Sequence, residues 1–158
     1  MKNIKKITLL VIMLVIALLV SGCGNKNIEG SLEDLMTKVY AGIPDEEKPM
    51  MLMNTEVNSE NIEYYLGSTE IDYQEALASE SGIGSIAHSV VLLRTKDNAD
   101  INKIQEEIKE KVNPRKWICV GVEKEDLIIK NKGNLVILIM VEDSNTRTKL
   151  ETNFDNLK

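Results

Sequence analysis

The chain of 158 residues is 43% hydrophobic and 28% charged, with a formal net charge of −6, the profile of one ordinary acidic globular domain. Lys2, Lys5 and Lys6 all lie at the very start, and from Cys23 onward 16 basic residues stand against 25 acidic ones, a balance of −9 over 136 residues. Nucleic-acid affinity rests on neutralising phosphates with Lys and Arg, so this balance excludes a nucleic-acid partner.

Residues 7–20 are apolar apart from Thr8 and follow the three lysines directly. A basic stretch, an apolar stretch of about 7 to 15 residues and then small residues make the pattern of a secretory signal peptide. Crossing about 30 Å of hydrocarbon takes about 20 apolar residues. Ser21 and Gly22 end this run too early for a membrane-spanning helix. Leu19-Val20-Ser21-Gly22-Cys23 resembles the lipobox of bacterial lipoproteins, in which an aliphatic residue and two small ones precede the cysteine that is acylated and begins the mature chain. The resemblance implies removal of residues 1–22, a diacylglyceryl group on Cys23 and a lipid-anchored location on the outer face of the cytoplasmic membrane. The residue types suit that chemistry, since small side chains let a peptidase approach the extended backbone and a thiolate is a good nucleophile. Each buried CH₂ contributes about 0.8 kcal/mol and one acyl chain holds only marginally, so two or more are needed for a stable anchor. Residues 23–30 are then a lipidated tether and residues 31–158 a single domain.

With Cys23 lipidated, Cys119 is the one remaining cysteine and no intramolecular disulfide forms. The flanks Trp117-Ile118 and Val120-Gly121-Val122 predict a buried strand with Cys119 as a small core residue.

Ser31 reads as the N-cap of a first helix, with Glu33 and Asp34 in its first turn and Leu32, Leu35, Met36, Val39 and Ile43 on one face. Gly42 and Pro44 end it. A connection over residues 44–58 carries Asp45-Glu46-Glu47 and Met50-Met51-Leu52-Met53. A short helix over residues 59–66 closes at Gly67. Strands are predicted over residues 71–79 and 86–95, the second built on Val90-Val91-Leu92-Leu93. Ile101, Ile104, Ile108 and Val112 make one stripe of a helix over residues 100–112, capped by Asp97 or Asn98 and stopped by Pro114. Strands over residues 117–122, 127–130 and 135–141 follow, the last two joined by the hairpin sequence Asn131-Lys132-Gly133-Asn134. Asp143 or Ser144 begins a final helix carrying Leu150, Phe154 and Leu157.

This order predicts an α+β two-layer sandwich, a mainly antiparallel sheet with helices on one face, with a ferredoxin-like variant as one arrangement that fits. Ser85-Ile86-Ala87-His88-Ser89-Val90-Val91-Leu92-Leu93-Arg94 and Asn113-Pro114-Arg115-Lys116-Trp117-Ile118-Cys119-Val120-Gly121 are similar to the core of a domain of unknown function found in small lipoproteins of Gram-positive anaerobes. That family has no established activity, so the likeness implies boundaries and a lipoprotein setting and no catalytic residue.

His88 is the only histidine, which rules out a zinc site built from several histidines of one chain. Ser85 and His88 stand three apart on a predicted strand and so point to opposite faces, unsuited to a nucleophile and its base. Gly82-Ile83-Gly84-Ser85-Ile86-Ala87 matches the dinucleotide fingerprint in letters, but a strand follows it where that motif needs a helix, so it reads as a turn. The acidic runs at 45–47 and 123–126 lack the alternating spacing of a calcium loop. Met50, Met51 and Met53 suit a core gap or a partner surface better than a Cu(I) site. Arg115-Lys116-Trp117 reads as a junction with Trp117 buried or as a partner contact. No catalytic, cofactor or metal residue is therefore assigned, and Cys23, the lipidation site, is the one site residue. The expected function is a non-enzymatic, lipid-anchored binding or accessory protein with a protein partner in the envelope. The alternatives are a subunit of a membrane complex, contacting its partner through the Met50 to Met53 stretch or the Trp117 region, and an extracytoplasmic enzyme using carboxylates near His88.

Overall fold

The computed structural model of the protein describes residues 27–158. The predicted signal peptide and Cys23 lie outside the described residues.

Helix α1 (Leu32–Val39) begins at Ser31, whose hydroxyl accepts the Asp34 N–H at 3.1 Å, and buries Leu32, Leu35, Met36 and Val39. Strand β1 (Leu52–Glu56) follows in the stretch predicted to be a connection. Its residues are mostly exposed, because an edge strand pairs on one side only and needs no apolar alternation. Helix α2 (Ile62–Leu66) ends on Gly67 at φ 81°, as predicted. A Cβ on Gly67 would stand 2.3 Å from the carbonyl carbon of Lys111, so both the backbone conformation and the space demand glycine.

Strands β2 (Tyr73–Ser81) and β3 (His88–Thr95) are joined by the turn that holds Gly82 and Gly84. Helix α3 (Ile101–Lys111) is capped by Asp100, which accepts the Lys103 N–H at 3.2 Å, in place of the Asp97 or Asn98 predicted. A cap must directly precede the first helical residue. Asn98 instead sits in the preceding loop at φ 65°. Strands β4 (Ile128–Lys132) and β5 (Leu135–Val141) form the expected hairpin, with Gly133 at φ 57° in its turn. Helix α4 (Ser144–Asp155) closes the chain, and the Asp143 carboxylate accepts the Thr146 N–H at 2.7 Å. Asp143→Ala is expected to destabilise the fold by about 1 kcal/mol, read from the urea unfolding midpoint.

The five strands run in the order β1-β2-β3-β5-β4, every pair antiparallel, which makes the protein the α+β sandwich expected. In a ferredoxin-like arrangement the two strands joined through each helix are separated by a third strand, whereas here β1 and β2, joined through α2, are direct neighbours. The helices divide between both faces where one covered face was expected. Against one face, Ala78, Val91, Leu93, Val136 and Leu138 pack on α2, α3, Trp117 and Val122. Against the other, Leu77, Val90, Leu92, Ile137 and Ile139 pack on Ile28, α1 and α4. Two-sided burial explains why Val90 to Leu93 of β3 and the whole of β5 read as unbroken apolar runs where a half-buried strand would alternate.

Residues 117–122 form no strand. The segment folds back on itself, the Val122 N–H donating to the Pro114 carbonyl at 2.8 Å, and Cys119 adopts φ 61°. Cys119 is exposed, which corrects its expected place in the core.

Candidate functional site at the far end of the sheet

The two ends of the sheet differ. At one end, Arg94 closes β3 with its guanidinium buried against the start of the domain. Nε donates to Glu75 at 2.7 Å, one terminal nitrogen to the Ile28 carbonyl, and the other to the Gly30 carbonyl at 2.6 Å. The Ile28 N–H donates to Asn134 in the β4–β5 turn at 3.2 Å, and the Ile28 side chain is in the core. The fold therefore takes in Ile28, which was expected to lie in the tether.

At the opposite end, where β2 turns into β3, the large apolar side chains that remain exposed collect. Among the described residues these are Met50 (68% exposed), Met51 (64%), Met53 (52%), Tyr64 (48%) and Ile118 (69%). The 82–84 turn ties their segments together. The Gly82 N–H donates to the Met51 carbonyl at 2.9 Å, the Ser81 hydroxyl to the Met50 carbonyl at 2.9 Å, and the Ile118 N–H to the Gly84 carbonyl at 2.7 Å. Both segments that the sequence offered as partner contacts thus meet at one end. A Cβ on Gly82 would come within 3.1 Å of the Met53 methyl, the movable end of an exposed side chain.

A buried charge pair underlies this surface. Glu80 lies opposite Met53 on β1 and Ser89 on β3. Its carboxylate accepts from Lys116 Nζ at 2.7 Å, the Tyr64 hydroxyl at 2.8 Å and Trp117 Nε1 at 2.9 Å. Only 3% of the Lys116 side chain is exposed, and its ammonium sits 4.1 Å from the Tyr64 ring centre, 4.7 Å from that of Tyr65 and 5.2 Å from that of Trp117. Burial pushes the Lys116 pKa down, and the neighbouring Glu80 offsets this only in part. Burial pushes the Tyr64 phenol up, with the Glu80 carboxylate adding to the effect. The sequence singled out Lys116 and Trp117 and missed Glu80, which sits among small and polar strand residues with no local sign of burial.

On the other sheet face His88 is buried, and its Nε2 lies 2.7 Å from the Tyr40 hydroxyl. Burial lowers the His88 pKa to about 4 and raises that of Tyr40, so both groups are neutral near pH 7 and the phenol is assigned as donor. The fully buried Ser79 hydroxyl lies close enough to draw the Tyr40 pKa slightly back, yet meets the geometry of no hydrogen bond among the described residues. Asp45, Glu107 and Asp143 have pKa values displaced downward, by Lys48, by Ser68 and by the Thr146 N–H respectively. The acidic runs at 45–47 and 123–126 form exposed single turns. A polar concavity of about 770 Å³ opens between Glu46, Glu47 and the start of α4.

Among the described residues no group of three or more His, Cys, Asp or Glu side chains is placed to hold a metal ion, and no helix is long and apolar enough to cross a membrane. The chain matches no family model, no curated protein and no solved structure.

Proposed function

We propose that this protein is a lipid-anchored, non-enzymatic binding protein, held to the outer face of the cytoplasmic membrane through Cys23 and presenting the Met51, Met53 and Ile118 end of its sheet to a protein partner. The observation that carries this reading is the gathering of the exposed large apolar side chains at the end opposite Ile28. Exposed apolar surface of this kind marks interaction sites, and flexible methionines adapt to a partner. The four residue steps from Cys23 to Asn27 reach at most about 14 Å, whereas the eight residues of β3 span about 23 Å. The anchored end thus faces the bilayer and the apolar end faces away from it, which favours a protein partner over lipid. A carboxylate-dependent enzyme is the weaker reading, because His88 bonds to a phenol and the displaced carboxylates are displaced downward.

Intact mass and membrane fractionation of the wild type and of Cys23→Ala test the anchor. The wild type is expected to lack residues 1–22, to carry diacylglyceryl mass and to fractionate with membranes, and the variant to do none of these. Retention of residues 1–22 at unmodified mass in both would refute the lipobox assignment.

A further inference from the structure

The edge of β1 points to how that partner is held. The Gly82 N–H donates to the Met51 carbonyl at 2.9 Å and the Val57 N–H to the Ala76 carbonyl at 2.9 Å, so the odd-numbered residues of this stretch turn their backbone groups inward to β2. Antiparallel pairing alternates. Leu52, Asn54 and Glu56 therefore turn theirs outward. The Glu56 carbonyl is taken by the Asn61 side-chain amide at 2.9 Å, while the N–H and C=O of Leu52 and Asn54 have no partner among the described residues. The other edge is guarded differently, with Lys130 of β4 bonded to Glu151 and Asp155. Only Glu56 is charged within β1.

A groove runs beside the open edge. About 560 Å³ lies between α1 and β1, walled by Met36, Tyr40, Ile43, Leu52 and Asn54, with Lys48 at the rim. Leu52 and Asn54 are thus both the residues with unpaired backbone and the floor of the groove. A strand laid along β1 would send every second side chain into it and the intervening ones alongside exposed Met53.

We propose that β1 receives an extended segment of a partner protein by strand addition, with an apolar side chain of that segment seated in the groove. Main-chain hydrogen bonds supply affinity and the groove supplies specificity. The segments that flank β1 in sequence are acidic, Asp45, Glu46 and Glu47 before it and Glu60 and Glu63 after it, and Glu56 lies on the edge strand itself, so the segment carries Lys or Arg beside its apolar residues. A second copy of this chain fits worse. Pairing two β1 strands about Asn54 would set each Glu56 opposite the other's Leu52 and bring two acidic surfaces together. The proposal rests on the partner-binding function above and specifies its contact.

The test uses the full chain in detergent and a fluorescent, blocked heptapeptide alternating Val or Leu with Thr, with Lys at both ends, followed by anisotropy. Saturable binding is expected. N-methylation of the peptide at one alternate set of residues should weaken it at least tenfold, and at the other set little. Asn54→Pro removes an outward N–H and leaves the ladder to β2 intact, so it should weaken binding at least tenfold at an unchanged melting temperature. No binding, equal sensitivity of both N-methylated sets, or a dimer that Asn54→Pro dissolves would each overturn strand addition. If Asn54→Pro unfolds the chain, the two N-methylated sets decide alone. Failure here with the Cys23 anchor intact and Ile118 still cross-linking to a protein would refute the edge and leave the partner-binding function standing.

Discussion

Replacing Lys116 by alanine is expected to destabilise the protein by about 3 to 5 kcal/mol. The Glu80 carboxylate would keep Tyr64 and Trp117 as donors and lose the one cation that neutralises it in a buried site. The magnitude follows from leaving a charge uncompensated, not from the attraction of the pair. Because the Lys116 pKa stays below its ordinary value despite Glu80, the attraction does not fully offset the loss of hydration. A double variant, Lys116→Met with Glu80→Gln, removes both charges and keeps an acceptor for Tyr64 and Trp117, and should therefore recover most of the loss. Trp117, the only tryptophan, donates to Glu80 and reports the site directly in urea titrations. A loss under about 1 kcal/mol for Lys116→Ala, with unchanged denaturant dependence, would mean that the pair is hydrated in solution.

The second large effect is one of pH. His88 has a pKa of about 4 in the fold because burial disfavours its charged form, against an ordinary value of 6.5. The unfolded chain therefore binds more protons between these values, and stability rises with pH across that window. The contribution is complete above about pH 6.5, falls as the pH drops, and is lost near pH 4, a change of up to about 3 kcal/mol. His88→Gln keeps an acceptor for the Tyr40 hydroxyl and removes the titration. Its stability should be flatter over this range, measured as the unfolding midpoint at several pH values. Parallel pH profiles for the two proteins would show that His88 is hydrated or charged in the fold.

Much of the fold was legible in local chemistry. Ser31 caps the helix it was expected to cap, Asp143 rather than Ser144 caps the last one, Gly67 ends α2, and Gly133 turns the last hairpin, because each of these acts on its immediate neighbours. Long-range facts were less legible. The unbroken apolar runs of β3 and β5 carried the signal of a sheet covered on both faces, which a two-layer expectation leaves unused. Residues 117–122 have the composition of a strand but spend their backbone hydrogen bonds on Pro114 and Gly84, partners that only the tertiary fold supplies. β1 was hidden for the opposite reason, since an edge strand with exposed side chains shows neither alternation nor a continuous apolar run. At the candidate site, Met51, Met53, Lys116 and Trp117 stood out by residue type. Glu80 did not, because its burial depends on a lysine 36 residues away.

On the proposed anchoring through Cys23, the apolar end of the sheet faces away from the bilayer. Once Cys23 is a thioether, exposed Cys119 is the single thiol of the protein and lies beside Ile118 at that end. An environment-sensitive fluorophore on Cys119 of the lipidated protein in liposomes, with quenchers attached to the lipid headgroups and acyl chains, measures the separation directly. Emission nearly indifferent to both quenchers is expected, because about 20 Å of sheet stands between label and lipid. Strong quenching from either depth would place Met51, Met53 and Ile118 in the membrane and contradict a protein partner at this surface.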